Sequence, residues 1–247
     1  SPLVAAVLDS DKGIYTGGNV SPSTKHLKNL MLMSAASSAT STTNGRQEVA
    51  VCDYLLYYPF IDTDAIGEEQ VMDNTVTLPR YAAQGGKVVA VAQSAASAIG
   101  QFTFSYTNQD GVSGRTSQNN YTFIVAGGGQ VVGASGAGAS YNPFCYLQVG
   151  DTAVRSIESV TMSAAGGGLM CLVIVKPLIK TVVSQECRRT TTGNLESYGA
   201  CTELSSVIHQ AGAPRILDGA VIGLLAAGYS GSLASSILSG ALEVIWN

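Results

Sequence analysis

The sequence predicts an all-β fold of the β-sandwich or jelly-roll type, with an extended N-terminal arm and few short helices. Apolar and aromatic runs of strand length recur along the chain, and segments rich in Gly, Ser and Asn separate them. This spacing favours a sandwich over alternating β/α units. Within residues 101–107, QFTFSYT, apolar and polar residues alternate strictly, so Phe102, Phe104 and Tyr106 share one face of a strand.

Residues 142–178 carry the clearest strand pattern. Residues 155–162 alternate between polar and apolar side chains, which indicates a half-buried strand. Three consecutive glycines, 166–168, then permit a tight reversal, because glycine adopts positive φ freely. Residues 169–175 form a continuous apolar run, which is typical of a strand buried on both faces. Pro177 cannot donate to a strand ladder, so we expect it to mark the end of this strand or an edge position.

The other elements are predicted in chain order from periodicity and turn signals. Residues 23–38 fit a short helix or a strand equally well, because their apolar residues suit both periods. Residues 48–60 predict a strand that ends at Pro59. Trp246, the only tryptophan, predicts a C-terminal segment docked into a sheet or an interface. Further strands are predicted over residues 75–79, 87–91, 101–107 and 121–125, and residues 202–210 fit a short helix or a strand.

The sequence predicts an arm and one main domain. Residues 1–25 contain several glycines and prolines and are interpreted as an extended arm that lies on a neighbouring subunit. Residues 26–247 are predicted to form the β-sandwich domain. The glycine-rich segment 127–138, GGGQVVGASGAG, has the lowest complexity in the chain and is the place where this domain would divide.

Charge is scarce in this chain. Charged residues make up 12% of it, and the net charge is −4. Such a surface is weakly protected against self-association, so we expect much of it to be covered in an assembly. A neutral extracellular β protein rich in Ser and Thr is the alternative. Basic residues are scattered, which argues against direct binding of nucleic acid. No apolar run reaches the roughly 20 residues of a membrane-spanning helix, so no membrane partner is expected.

The five cysteines show no CxxC spacing, and their odd number indicates free thiols in a chain made in a reducing cytoplasm. Cys52, Cys145 and Cys171 lie in apolar runs and are predicted to fill the core. Cys187 and Cys201 flank a polar segment, and the sequence leaves open whether they pair.

Residues that could carry catalysis, cofactor binding or metal binding form no recognisable motif. His26 and His209 are the only histidines, and no GxSxG elbow is present. The acidic segment 61–74 lacks the spacing of an EF-hand and is interpreted as a surface loop. The segment 127–138 has no following GK[ST] and is interpreted as a loop instead of a phosphate site. We therefore expect no enzymatic activity, no cofactor and no metal.

The segment LQVGDTAVRSIESVTMSAAGGGLMCLVIVKPL resembles a recurring pattern in virion structural proteins of tailed bacteriophages. The pattern consists of a Leu, a Gly-Asp pair, an alternating strand, a Ser/Gly turn and an apolar strand that ends in Lys-Pro-Leu. Residues 218–243 are similar to the same group, and residues 54–62 and 78–115 are similar to it more loosely. The residues that carry the pattern are Leu147, Gly150, Asp151, Val154, Arg155, Ile157, Val160, Leu169, Leu172, Val173, Lys176, Pro177 and Leu178.

This resemblance implies a non-enzymatic virion protein. The chain lacks the long spine helix expected of the major capsid protein of tailed phages. The resemblance therefore implies a decoration (cement) protein on the surface of the phage head, made in the host cytoplasm. Its partners would be the major capsid protein and copies of itself, in a trimer. A tail, neck or host-recognition component of the virion is the alternative.

Both ends of the chain are expected to make these contacts through apolar side chains and backbone pairing. The alternative is that the same residues pack within their own domain. A host-recognition module would instead present an exposed aromatic pocket, and a jelly-roll hydrolase would pair His209 with a carboxylate in a cleft. The predicted interface residues are Leu3, Val4, Val7, Leu8, Tyr15, Leu242, Val244, Ile245 and Trp246, and the candidate pocket residues are Tyr54, Tyr57, Tyr58 and Tyr141.

Overall fold

The computed structural model shows the predicted all-β fold, built from several antiparallel sheets. It describes residues 3–8, 10–36, 46–124, 127–129, 131, 133–134, 142–189, 195–200, 202–206, 213–228 and 236–246. Helical structure in these residues is limited to one 3-10 turn, Ser10–Lys12. The strands are β1 (Ala6–Val7), β2 (Lys25–Ala36), β3 (Arg46–Asp62), β4 (Glu69–Val71), β5 (Lys87–Ala92), β6 (Gln101–Asn108), β7 (Arg115–Thr116), β8 (Asn120–Thr122), β9 (Gly133–Ala134), β10 (Val154–Ala164), β11 (Leu169–Arg189), β12 (Leu195–Ala200), β13 (Thr202–Ser206), β14 (Arg215–Ile216), β15 (Ile222–Gly228) and β16 (Ser236–Trp246).

Contacts within the chain divide it into two compact units. Unit 1 comprises Ser1–Gly13 and Asp53–Pro177, and unit 2 comprises Ile14–Cys52 and Leu178–Asn247. No turn signal marks this division, because it falls inside the long strands β3 and β11. The predicted arm, residues 1–25, is therefore shared between the units, and the described residues of 127–138 belong to unit 1.

Unit 1 has the two-sheet arrangement of a β-sandwich, with one hydrophobic core. In one sheet β1 pairs with β3 and β5 pairs with β11. The other sheet has the order β4-β10-β6-β8-β9, with β7 on β6. The alternation predicted for β6 is confirmed, because Phe102, Phe104 and Tyr106 are buried in one core cluster with Leu172 and Ile174 of β11.

The predicted reversal at residues 166–168 joins β10 to β11. Gly167 has a φ of +73°. A Cβ atom on Gly168 would lie 2.3 Å from the backbone oxygen of Ala95, so no larger residue fits at this position. Because β10 and β11 belong to different sheets, the reversal crosses from one sheet to the other and does not close a hairpin.

Unit 2 is organised around β2. Of the two structures predicted for residues 23–38, a short helix or a strand, the described residues form the strand. β13 and β14 pair with β2 in succession, and β16 pairs with β2 along the full length of β16. Since β13, β14 and β16 use overlapping residues of β2, β16 must lie on the opposite side of β2 from the other two. Residues 202–210 are likewise a strand where they are described, as β13. The buried core consists of Leu27, Leu30, Leu32, Val49, Val51, Ile179, Ile216, Ala220 and Ile222.

Proline does not end the two longest strands. β3 continues through Pro59, and the end predicted there is wrong. Phe60 takes a φ of +62° and donates its N–H to the Gln93 side chain, so a local kink replaces a strand end. β11 continues through Pro177, which lies beyond Val175, the last residue that pairs with β5. The missing N–H of Pro177 therefore falls outside the ladder with β5, so Pro177 marks the end of that ladder and not the predicted end of the strand.

The strand predicted over residues 75–79 is also wrong. These residues have no strand pairing, and Leu78 reaches the unit 1 core from an irregular segment. The predicted burial of Cys52, Cys145 and Cys171 is confirmed. Burial raises the pKa of the Cys145 thiol to about 12 and that of Cys171 to about 11, so both behave as apolar core residues. The side chains of Cys187 and Cys201 lie outside the described part of the chain.

Candidate interaction surfaces

Four of the five predicted N-terminal interface residues, Leu3, Val4, Val7 and Leu8, belong to unit 1. Leu3 and Val7 pack against its core, and Val7 lies in β1 opposite Leu56 of β3. The N–H of Leu8 donates to the backbone oxygen of Leu55 at 3.2 Å. Val4 is 37% exposed and forms a bridge to Asp73. In this structure, then, only Val4 of this group presents a large exposed fraction to a partner.

Tyr15 presents the largest free aromatic surface of the predicted set. It belongs to unit 2 and is 85% exposed. The neighbouring Ile14 is anchored, since its N–H donates to the backbone oxygen of Ile222 at 2.7 Å. Further along, the buried Lys25 donates to the backbone oxygens of Gly17 and Gly18. Tyr15 therefore projects from a segment that is fixed on both sides, which lowers the entropy cost of using it in binding.

The C-terminal interface residues all lie on β16. Leu242 and Val244 pack against the unit 2 core. Ile245 is half-buried opposite His26, and Trp246 is 61% exposed opposite Lys25. Among the described residues, β16 has β2 as its only strand partner. β16 thus combines an apolar face inside its own unit with an open backbone edge.

The only charged side chain of β16 is already satisfied by neighbours on β2. Nζ of Lys28 lies 2.6 Å from Oε1 of Glu243, and Asn29 donates to Oε2. These hydrogen bonds, that from Lys28 foremost, lower the pKa of Glu243 from its ordinary value. Glu243 is therefore an ionised carboxylate paired with Lys28, and the rest of β16 is uncharged.

Large apolar side chains are exposed on both units. Single exposed side chains are normal on protein surfaces, but here they combine with a chain that has few charges. Ile124 and Val71 are each more than 60% exposed, and Val71 belongs to the edge strand β4. The full set is Val4, Ile14, Tyr15, Phe60, Ile66, Val71, Ile99, Val112, Ile124, Tyr146, Val149, Leu169 and Trp246.

Asp151, in the segment that carries the sequence pattern described above, is the centre of a hydrogen-bond cluster in unit 1. Asp151 accepts hydrogen bonds from Tyr106 at 2.6 Å, Asn108 at 2.8 Å and Nε of Arg115 at 2.9 Å. Burial acts to raise the pKa of Asp151, but the bonds from Arg115, Tyr106 and Asn108 outweigh it and lower that pKa to about 2. Burial, together with the hydrogen bond to Asp151, raises the pKa of Tyr106 to about 12.

A buried ion pair joins Arg80 to β3 and was missed by the sequence analysis. Nε and a terminal nitrogen of Arg80 lie 2.8 Å from the two carboxylate oxygens of Asp53. The Arg80 side chain is 8% exposed and that of Asp53 is 0% exposed. The available signal was Asp53 itself, the one charged residue inside the apolar run 49–61. A charge in such a run requires a partner, but the sequence does not say which.

The residues considered for chemistry serve structural roles where they are described. Asp62 and Asp64 accept backbone N–H groups of Asp64 and Gly167. Tyr58 is buried and donates its hydroxyl proton to Asn74, so it is absent from the surface. In the described part of the chain no group of His, Cys, Asp and Glu could hold a metal, and no helix could span a membrane. His209 and Tyr141 lie outside that part.

Together these features define an all-β protein of two compact units. Its candidate interaction surfaces, among the described residues, are exposed apolar side chains and the edge of β16 that has no strand partner there. Comparison with family models, with curated proteins and with solved structures gives no match for this chain. The resemblance to tailed-phage virion proteins therefore stays a prediction.

Proposed function

We propose that the protein is a non-enzymatic structural component of a bacteriophage virion, and that it decorates the outer surface of the head shell. The observation that carries this proposal is the exposure of large apolar side chains on a surface with few charges, led by Tyr15 and Val149, each 85% exposed. The phage-like segment supports it from the sequence side.

A decoration protein of this kind stabilises a shell by adding buried interface across the joints between shell subunits. Burial of apolar surface contributes about 25 cal/mol per Å², and specific interfaces bury roughly 1,600 Å² in total. The backbone contacts of Ile14 with Ile222 and of Gly17 with Lys25 hold the segment that carries Tyr15, which keeps the entropy cost of binding low. No covalent chemistry is required for this role.

Sedimentation of the purified protein with empty heads of the phage that encodes it tests the proposal. We expect the protein to co-sediment with heads at a copy number near that of the shell protein. The double variant Tyr15→Ser and Val149→Ser should bind more weakly, whereas Lys12→Ser, an exposed polar change, should bind as the wild type does. Point variants are preferable to a deletion of residues 1–20, which would remove Leu3 and Val7 from the unit 1 core.

The opposite result has a clear meaning. A protein that ignores heads and occurs in a few copies per particle would belong to the tail, the neck or the host-recognition apparatus. Binding of the isolated protein to host cells would then separate the recognition role from the structural ones.

A further inference from the structure

We propose that two copies of this chain associate through β16, whose open edges pair antiparallel about a two-fold axis at Ala241. The association would join two β2–β16 sheets into one. It goes beyond the proposed function, because it does not depend on where the protein sits in a virion. It also replaces the trimer implied by the phage resemblance with a two-fold assembly.

β2 pairs with one edge of β16, and the other edge has no strand partner among the described residues. The occupied side pairs with β2 over all 11 residues of the strand, from Ser236 to Trp246. No second strand pairs with β16 in the part of the chain that the structure describes. Gly240, Ala241 and Glu243, at the middle of the strand, are exposed. The N–H and C=O groups along such an edge attract another strand, and β16 contains neither lysine nor proline to oppose pairing. Its one charged residue is Glu243, and its register on β2 is irregular between Glu243 and Val244.

The polarity pattern of β16, SILSGALEVIW, reads nearly the same in both directions about Ala241. A two-fold interface requires this self-complementarity, because every contact in it occurs twice with the roles exchanged. With the axis at Ala241, most apolar residues oppose apolar residues and Ser239 lies opposite Glu243, whereas the terminal pair, Ser236 with Trp246, joins a polar residue to an apolar one. The opposed pairs would be Ile237 with Ile245, Leu238 with Val244, Ser239 with Glu243, and Gly240 with Leu242.

Charge selects this register over its neighbours. An axis at Glu243 would place two carboxylates directly opposite each other, which is unfavourable. An axis at Gly240 would place Glu243 opposite Ile237. With the axis at Ala241, Glu243 lies opposite position 239 and away from the second carboxylate, and its contact with Lys28 on β2 is retained.

The energetic gain comes mainly from the backbone. Full pairing of two 11-residue strands would add roughly ten hydrogen bonds and remove both open edges from solvent. Pairing through the backbone costs little reorganisation, because β2 already holds β16 in an extended conformation.

Charge substitution at the axis tests the proposal. We expect the wild-type protein to sediment as a dimer in the micromolar range. Ala241→Lys places two lysines opposite each other and should weaken self-association about tenfold or more. Ala241→Asp should do the same with two carboxylates. An equimolar mixture of the two variants should recover the dimer, because lysine then opposes aspartate.

The matched control is Val71→Lys, which adds the same charge to the exposed edge strand β4 of unit 1 and should leave the dimer intact. Circular dichroism of each variant confirms that it is folded.

A monomeric or trimeric wild type would overturn the proposal, as would dimers in both single variants or a failure of the mixture to associate. Head binding is scored separately. A monomeric Ala241→Lys variant that still decorates heads supports both inferences, and a dimer that ignores heads contradicts only the proposed function.

Discussion

In the described part of the chain, each unit holds a cation with little exposure to solvent, Arg80 in unit 1 and Lys25 in unit 2, and the two are held in different ways. In unit 1, Arg80 forms a two-point contact with the fully buried carboxylate of Asp53. In unit 2, Lys25 is 3% exposed, and Nζ donates to the backbone oxygens of Gly17 and Gly18 at 2.9 and 3.0 Å. Arg80 is thus paired with an opposite charge, whereas Lys25 is paired with uncharged backbone oxygens.

The difference decides what remains when the cation is removed. Removing Arg80 would take the cationic partner away from a fully buried carboxylate, and breaking a buried ion pair by removing one member is costly. Gly17 is half-buried and Gly18 is exposed, so water can replace the ammonium at those oxygens. We therefore expect unit 1 to be the more sensitive of the two to loss of its cation.

Arg80→Ala should show the largest effect. It should lower the free energy of unfolding of unit 1 by about 3–5 kcal/mol, because the Asp53 carboxylate loses its guanidinium partner. Chemical denaturation measures the loss, and hydrogen exchange of peptides from β6 and β2 shows which unit is affected. The double variant Arg80→Met with Asp53→Leu removes both charges and should recover most of the stability. A stable single variant would contradict the role assigned to the pair.

Lys25→Met should show an intermediate effect, confined to unit 2. The methionine keeps the aliphatic part of the side chain and removes the ammonium, at an expected cost of about 1–2 kcal/mol. Hydrogen exchange of β2 peptides should rise while that of β6 stays unchanged. Lys28→Met on the same strand is the control, and it should barely move the denaturation midpoint because its ion pair is partly exposed. A loss as large as that of Arg80→Ala would remove the distinction between charged and neutral acceptors.

The predictable parts of the fold are those written in consecutive residues. The alternation of β6 and of β10 fixes which residues face the core, and both strands form as the sequence predicts. The Arg80–Asp53 pair spans 27 positions, and no local pattern joins its members. The division into units was equally hidden, because β3 and β11 contribute to both units without a break.

The candidate interaction surface also has a part that the sequence predicts and a part that depends on distant residues. The apolar character of residues 3–8 and of β16 is visible in the sequence, but their exposure depends on pairing with distant strands. Leu3 and Val7 are half-buried against the unit 1 core, and the pairing of β1 with β3 places Val7 there. Trp246 stays exposed at the end of a strand whose partner, Lys25, begins β2 more than 200 positions earlier. The periodicity of a strand shows which of its faces is apolar, but only the topology of the sheets shows which other residues cover that face.

Acid should destabilise unit 1 through Asp151. The pKa of Asp151 is about 2 in the folded protein and 3.8 ordinarily. Above pH 3.8 the carboxylate is ionised in both the folded and the unfolded chain, so its hydrogen bonds contribute fully. As the pH falls from 3.8 to about 2, the unfolded chain takes up the proton first, and the stability of unit 1 falls.

Asp151→Asn removes this titration and should give a flatter stability curve over the same pH window, measured by denaturation at a series of pH values and by hydrogen exchange of β6 peptides. Lys25 in unit 2 provides the internal comparison, because the acceptors of its hydrogen bonds are uncharged and do not titrate in acid. Equal acid slopes in the variant and the wild type would mean that carboxylates elsewhere cause the loss. In that case the ionised carboxylate of Asp151 and its hydrogen bonds would not be what stabilises unit 1 in this pH range.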